Sequence, residues 1–192
     1  MKMPNKETAV LGVDPQNDFC PGGALAVREG DQVIEPLNKV FEHARRQGWK
    51  LALSRDWHPE ETVHFDKWPI HCVQGTTGAK FHPDLNTDGI TVFSKGMEDI
   101  DDGYSPFEGI DDGERKLDDF LDGVKRIYVG GLATDYCVRA AVLDAIKREY
   151  EVYLLLDAVR AVDLEEQDGQ KAIEEMERAG AIITDTKELL GN

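Results

Sequence analysis

Arg126-Ile-Tyr-Val-Gly-Gly-Leu-Ala-Thr-Asp-Tyr-Cys-Val138 joins an apolar run to a helical pattern through a pair of glycines. Beyond it Val138, Ala141, Val142 and Ala145 recur at i, i+3, i+4 and i+7, the period of an amphipathic helix. Thr134 or Asp135 stands where a cap is needed. This pattern predicts a strand feeding a helix, with Cys137 in the first helical turn at the strand's C-terminal end. Unpaired N–H groups and the positive end of the helix dipole gather there. They favour thiolate over thiol and suit a developing oxyanion. A buried structural cysteine is the commoner role for the residue type, but this position makes Cys137 a candidate nucleophile.

Working outward, short apolar runs alternate with helical patterns. Strands are expected at Thr8–Val13, Lys50–Leu53, Ile90–Phe93, Arg126–Val129, Val152–Leu156 and Ala181–Thr184. Several are almost continuously apolar, as strands covered on both faces are. Val33, Leu37, Val40, Phe41 and Ala44 form a helical stripe stopped by Gly48. Lys116–Leu121 reads as a shorter helix, and Asp163-Leu-Glu-Glu166 as a capping box opening a helix with Ala172, Ile173, Met176 and Ala179 on one side. The order predicts an α/β fold, a single domain over 1–192 with an open, mostly parallel six-stranded sheet and helices on both faces. Right-handed crossovers place all strand C-termini on one edge, where ligands bind in such sheets.

Composition narrows the classes. The net charge of -16, with 38 acidic against 22 basic residues, argues against nucleic acid and anionic membranes as partners. No apolar run is long enough to span a membrane, and Met1-Lys-Met-Pro-Asn-Lys-Glu7 has no apolar signal core. Three widely spaced cysteines make no disulfide framework, so a cytoplasmic protein is expected. The acidic clusters Glu98–Asp102 and Asp111–Glu114 read as solvated loop surface and not a cation site. Assembly state is open; a homo-oligomer is compatible with this composition.

Two further residues fall in places equivalent to Cys137. Asp14 follows the first strand and Lys95 the third. Each alone reads as a turn or surface residue, but a carboxylate, an ammonium and a thiol on one sheet edge make a candidate triad. Arg55–Gly89 has little periodicity and is too long for an idle connection. It holds His58, His64, His71 and His82. Asp56 and His58, two apart, project to one side in extended backbone. One carboxylate with two or three imidazoles from His58, His64 and His71 suits one divalent ion such as Zn²⁺, Fe²⁺ or Mn²⁺. His82 reads as loop structure and His43 as helix surface.

These residues lie in Asp14-Pro-Gln-Asn-Asp-Phe-Cys-Pro-Gly-Gly-Ala-Leu25, Arg55-Asp-Trp-His58, Trp68-Pro-Ile-His-Cys-Val-Gln-Gly-Thr76, Lys95-Gly96, Tyr104-Ser-Pro-Phe-Glu-Gly109 and Gly131-Leu-Ala-Thr-Asp-Tyr-Cys-Val138. The set resembles the nicotinamidases, a metal-bearing branch of the isochorismatase-like cysteine hydrolases with a Rossmann-like sheet. The resemblance covers nearly the whole chain. It implies Asp14, Lys95 and Cys137 as catalytic triad, and Asp56, His58 and His71 as zinc ligands with His64 as a fourth. It places Phe19, Trp68, Tyr104 and Tyr136 around a pyridine ring, and the Ala133 and Cys137 N–H groups at an oxyanion hole after a cis Leu132–Ala133 bond. The implied reaction is hydrolysis of nicotinamide to nicotinate and ammonia through a cysteine thioester, in NAD salvage, with the metal anchoring the ring nitrogen. Another member of the superfamily, acting on a ureido or carbamoyl amide, is the nearest alternative.

Overall fold

The computed structural model describes residues 7–99 and 103–191. Six strands, β1 (Thr8–Val13), β2 (Lys50–Asp56), β3 (Thr91–Lys95), β4 (Arg126–Leu132), β5 (Glu151–Arg160) and β6 (Ile182–Thr184), form one sheet in the order β3-β2-β1-β4-β5-β6. All five neighbouring pairs are parallel. The helices are α1 (Ile34–Gln47), α2 (Leu117–Phe120), α3 (Arg139–Lys147), α4 (Asp168–Ala179) and α5 (Thr186–Leu190). Among the described residues, no helix is long and apolar enough to cross a membrane.

Every residue of β1 is buried because both sheet faces are covered. Ala9, Leu11 and Val13 point to a core shared with Val138, Ala141, Val142 and Ala145, and with Ala172 and Met176 of α4. Val10 points the other way, into a core with Leu37, Val40, Phe41 and Ala44 of α1 and Leu51 and Leu53 of β2. Strand order reverses between β1 and β4, so their C-terminal ends open a crevice at the sheet's topological switch point.

Several boundaries differ from the sequence pattern. Strand β2 runs on to Asp56 and β3 to Lys95, past the end of their apolar runs, because Ser54, Asp56, Ser94 and Lys95 are themselves buried. Asp56 and Lys95 become cross-strand partners in that register. The expected cap of the Cys137 helix is absent. Residues Thr134–Val138 form a π turn with no side-chain cap, and Asp135 instead accepts from the Val162 and Asp163 N–H groups at 2.9 Å each. The capping box at Asp163 is not formed either. Helix α4 starts at Asp168 after a left-handed Gln167, and the Asp163 carboxylate accepts from the Gly169 N–H at 2.7 Å. In the expected acidic clusters, residues 100–102 lie outside the described residues, while Asp111 turns its loop by accepting from Gly113 and Arg115. His82 sits in a loop and His43 packs edge-on against Trp49.

Phe41 is fully buried where α1 crosses the sheet. Phe41→Ala is expected to lower unfolding free energy by about 3–5 kcal/mol, read as a shifted urea midpoint at constant slope. An unchanged midpoint would show that this helix face adds little to the core.

Candidate active site

The C-terminal ends of four strands deliver the site. Asp14 follows β1 with φ of +46°, a region L residues rarely adopt and one associated with functional turns. Asp56 ends β2, Lys95 ends β3 and Cys137 lies in the π turn after β4. The Lys95 side chain is wholly buried, with Nζ 2.8 Å from Asp14 Oδ2, 2.9 Å from the Gly103 carbonyl and 3.4 Å from Cys137 Sγ. Nζ also donates to Asp56 Oδ1. Ser54 Oγ donates to Asp14 Oδ1 at 2.6 Å. The three side chains of the predicted triad therefore meet, and Asp56 joins them.

Electrostatics in this cluster are set by burial and one cation. Burial raises the Asp14 carboxyl above its ordinary range, against the opposing pull of Lys95. Burial works against charge on Lys95 too, but Asp14 and Asp56 hold the ammonium well above the usual lysine value. Burial would also raise Asp56, yet Lys95 and the His58 and His71 imidazoles keep it well below the carboxylate range. Burial pushes the Cys137 thiol well up, with Lys95 pulling it down and Asp14 and Asp56 adding to the rise. The expected preference for thiolate is thus corrected: these side chains alone hold the sulfur as a thiol. A nucleophile here needs a base beside it, and Asp14 is that neighbour.

The second oxygen of Asp56 faces away from Lys95. His58 Nε2 and His71 Nε2 each lie 3.7 Å from Asp56 Oδ2. His58 Nδ1 is 3.0 Å from the Gly96 carbonyl and His71 Nδ1 is 2.7 Å from the Pro69 carbonyl. A carbonyl can only accept, so both rings carry a proton on Nδ1 and turn Nε2 to Asp56. A spacing of 3.7 Å is too long for a hydrogen bond, and buried His58 Nε2 has no hydrogen-bond partner. Yet two atoms that far apart can both reach one ion at about 2.0–2.2 Å. The donor set thus fits a divalent metal, and the carbonyl contacts are the outer support that metal-binding histidines ordinarily have. His64 adds a third imidazole: ligand atoms of His58, His64 and His71 lie within 4.8 Å of one another. Asp14, Asp56 and Cys137 are similarly close, but the Lys95 ammonium already bonds into that space. Gly96 is required beneath His58, since a Cβ there would fall 2.5 Å from its ring.

A pocket borders both groups, lined by Phe19, Leu25, Trp68, Tyr104, Tyr136 and Val162 together with Ala133, Cys137, Asp56, His64 and His71. The Trp68 indole N–H donates to the Tyr104 hydroxyl at 3.0 Å, and its ring meets Tyr136 edge-on at 4.8 Å. These rings form flat apolar walls for a small planar molecule. The Leu132–Ala133 bond is cis. The Ala133 carbonyl accepts from the Tyr136 and Val138 N–H groups, both at 3.1 Å, bonds that bracket the Cys137 amide. All four predicted pocket residues and all four predicted metal ligands are at the site. Sequence reasoning passed over Ser54, Gln16, Gly103, Leu25 and Val162. Gln16 and Leu25 carried a signal, by standing inside the Asp14–Leu25 motif.

Comparison with known proteins agrees with this geometry. Residues 8–188 match the isochorismatase domain. A nicotinamidase of Escherichia coli is 40% identical over 91% of this chain and 93% of its own. The pyrazinamidase of Pyrococcus horikoshii, solved in complex with zinc, superposes with a TM-score of 0.83 and 44% identity, covering 93% of this chain and 99% of its own. The yeast nicotinamidase bound to the inhibitor nicotinaldehyde gives a TM-score of 0.82 at 26% identity, covering 93% and 99%. With a strand-end acid, amine and thiol in contact and the match running almost end to end, the chain belongs to the isochorismatase family.

Proposed function

We propose that the protein is a nicotinamidase, hydrolysing nicotinamide to nicotinate and ammonia in NAD salvage. The observation that carries this is the position of Asp56, whose one oxygen serves the Lys95 group and whose other faces two oriented imidazoles. That arrangement joins a nucleophile to a metal site under one aromatic pocket, and the relatives named above include a nicotinamidase and one bound to nicotinaldehyde. Three free cysteines agree with a reducing, cytoplasmic setting.

Asp56, His58 and His71, with His64 as a further donor, would hold one divalent ion, zinc by preference for this imidazole and carboxylate set. When bound it supplies a Lewis-acid point for the lone pair of the pyridine nitrogen. The chain's residues do the rest. Phe19, Trp68, Tyr104 and Tyr136 hold the ring flat, bringing the carboxamide carbon over Cys137 Sγ. Asp14 takes the thiol proton as sulfur attacks, and Lys95 stabilises the charges formed. The backbone N–H groups of Ala133 and Cys137 receive the developing oxyanion. Asp14 returns the proton to the departing nitrogen, so ammonia leaves and a nicotinoyl thioester remains. Water then attacks the thioester carbonyl, giving one proton to Asp14, which passes it to the departing Cys137 sulfur; nicotinic acid leaves and ionises to nicotinate in solvent.

Purified protein is expected to release ammonia from nicotinamide, to lose this on chelation and to regain it with Zn²⁺. Release only from ureido or carbamoyl amides would place it elsewhere in the family. Cys137→Ala is expected to lower turnover by roughly 10³-fold or more; substantial surviving turnover would rule out the thioester route. Asp14 must be ionised in the free enzyme to act as base. Its raised carboxyl therefore puts the acidic limb of kcat/KM above the ordinary aspartate value of about 3.9. A profile flat down to pH 4 would remove Asp14 from that role.

A further inference from the structure

Alternate residues of the segment after β1, Asp14, Gln16 and Asp18, bond to chain segments that build the site. Asp14 meets Lys95. Gln16, fully buried, accepts from the Asp56 N–H at 2.7 Å and donates to the Asp56 carbonyl at 2.8 Å and the Ala79 carbonyl at 2.9 Å. Asp18 accepts from the Cys72 N–H at 2.7 Å through Oδ2 and from the Ala24 N–H at 3.1 Å through Oδ1. Its own carbonyl accepts from the Leu25 N–H, and its N–H donates to the Gly78 carbonyl, both at 3.0 Å. One residue thus ties together three stretches of chain: that of Phe19, that of Leu25 and that of His71.

Resting on the metal-bearing reading above, we infer that Asp18 is a positioning residue, fixing the metal ligand His71 and the pocket walls Phe19 and Leu25 in one register. Cys72 follows His71 directly and has φ of +46°, so this link is a bent, non-repeating piece of backbone. It belongs to no strand or helix, and its other backbone support is an isolated bridge, in which the His58 N–H donates to the Cys72 carbonyl at 3.0 Å and the Gln74 N–H to the His58 carbonyl at 2.9 Å. The Cys72 N–H bond to a carboxylate is charge-assisted and therefore stronger than a neutral one. Both Asp18 oxygens accept from backbone N–H groups, so an amide in its place must turn an NH₂ toward a donor. Gly78 shows how closely the carboxylate is boxed in, since a Cβ there would lie 2.1 Å from Asp18 Oδ2. Asp18 touches no reacting atom in the scheme above. Its effect reaches the site through His71 on one side and the ring-binding walls on the other.

The test measures the Zn²⁺ dissociation constant of metal-free protein by competition with a chromophoric chelator, for wild type, Asp18→Asn and Gly78→Ala. Zinc binding is expected to weaken by about 10–100-fold in Asp18→Asn, as for loss of other outer-shell supports. KM for nicotinamide should rise in zinc-saturated Asp18→Asn, because the turn at Ala24 that leads into Leu25 loses its carboxylate acceptor. The iodoacetamide reaction rate at Cys137, followed on its own peptide, should stay at the wild-type value. Gly78→Ala keeps the carboxylate charge but displaces it, and should weaken zinc in the same direction, so either variant recovered folded decides the matter. Zinc affinity unchanged in a folded variant overturns the inference, as does a zinc loss accompanied by faster alkylation of Cys137, which would signal general loosening. A wild type that binds no zinc overturns the metal reading beneath it as well, whereas tight wild-type binding matched by both variants sinks the role of Asp18 alone.

Discussion

A buried ammonium between two carboxylates is the constraint around which this edge of the molecule is organised. Removing Lys95 from water costs several kcal/mol, recovered only when its protons are all matched by well-placed acceptors. Asp14, Asp56 and the Gly103 carbonyl do this, with Cys137 Sγ beside them. Each partner comes from a different stretch of chain, so the cation cannot be satisfied until β1, β2 and β3 have paired in register and the segment at Gly103 has closed. Asp56 and Lys95 face one another because they are register partners in parallel strands. The sheet therefore builds the chemistry directly, with no loop needed to carry those two residues into place.

Asp56 also divides the site into two halves that share a single carboxylate. One oxygen belongs to the ammonium, the other to the imidazoles. Around the sulfur the formal charges of Asp14, Asp56 and Lys95 leave an excess of negative charge, which together with burial keeps the thiol protonated. In the proposed reaction the thiol is then activated only as Asp14 accepts its proton.

Sequence patterning revealed the alternation of strand and helix, the parallel sheet and the placement of Asp14, Lys95 and Cys137 at strand ends. It stopped short at Leu53 and Phe93, where apolar periodicity ends but the strands do not. The residues that break the pattern, Ser54, Asp56, Ser94 and Lys95, are buried polar groups, and a hydrophobic criterion cannot follow a strand whose last turns are given to chemistry. Two helix starts were misplaced for a related reason. Asp135 and Asp163 look like caps in the local sequence, but their carboxylates are used across space, on Val162, Asp163 and Gly169. The histidines were legible through their clustering, whereas Ser54 acts on a group 40 positions distant and left no local trace.

The carbonyls of Gly96 and Pro69 fix more than the tilt of two rings. With Nδ1 of His58 and His71 committed as donors, each ring has a single basic nitrogen left, and it is the same lone pair that a cation would use. A metal ion held there, as the proposed function requires, would meet the one nitrogen each ring leaves open, so these two carbonyls choose which imidazole atoms face it.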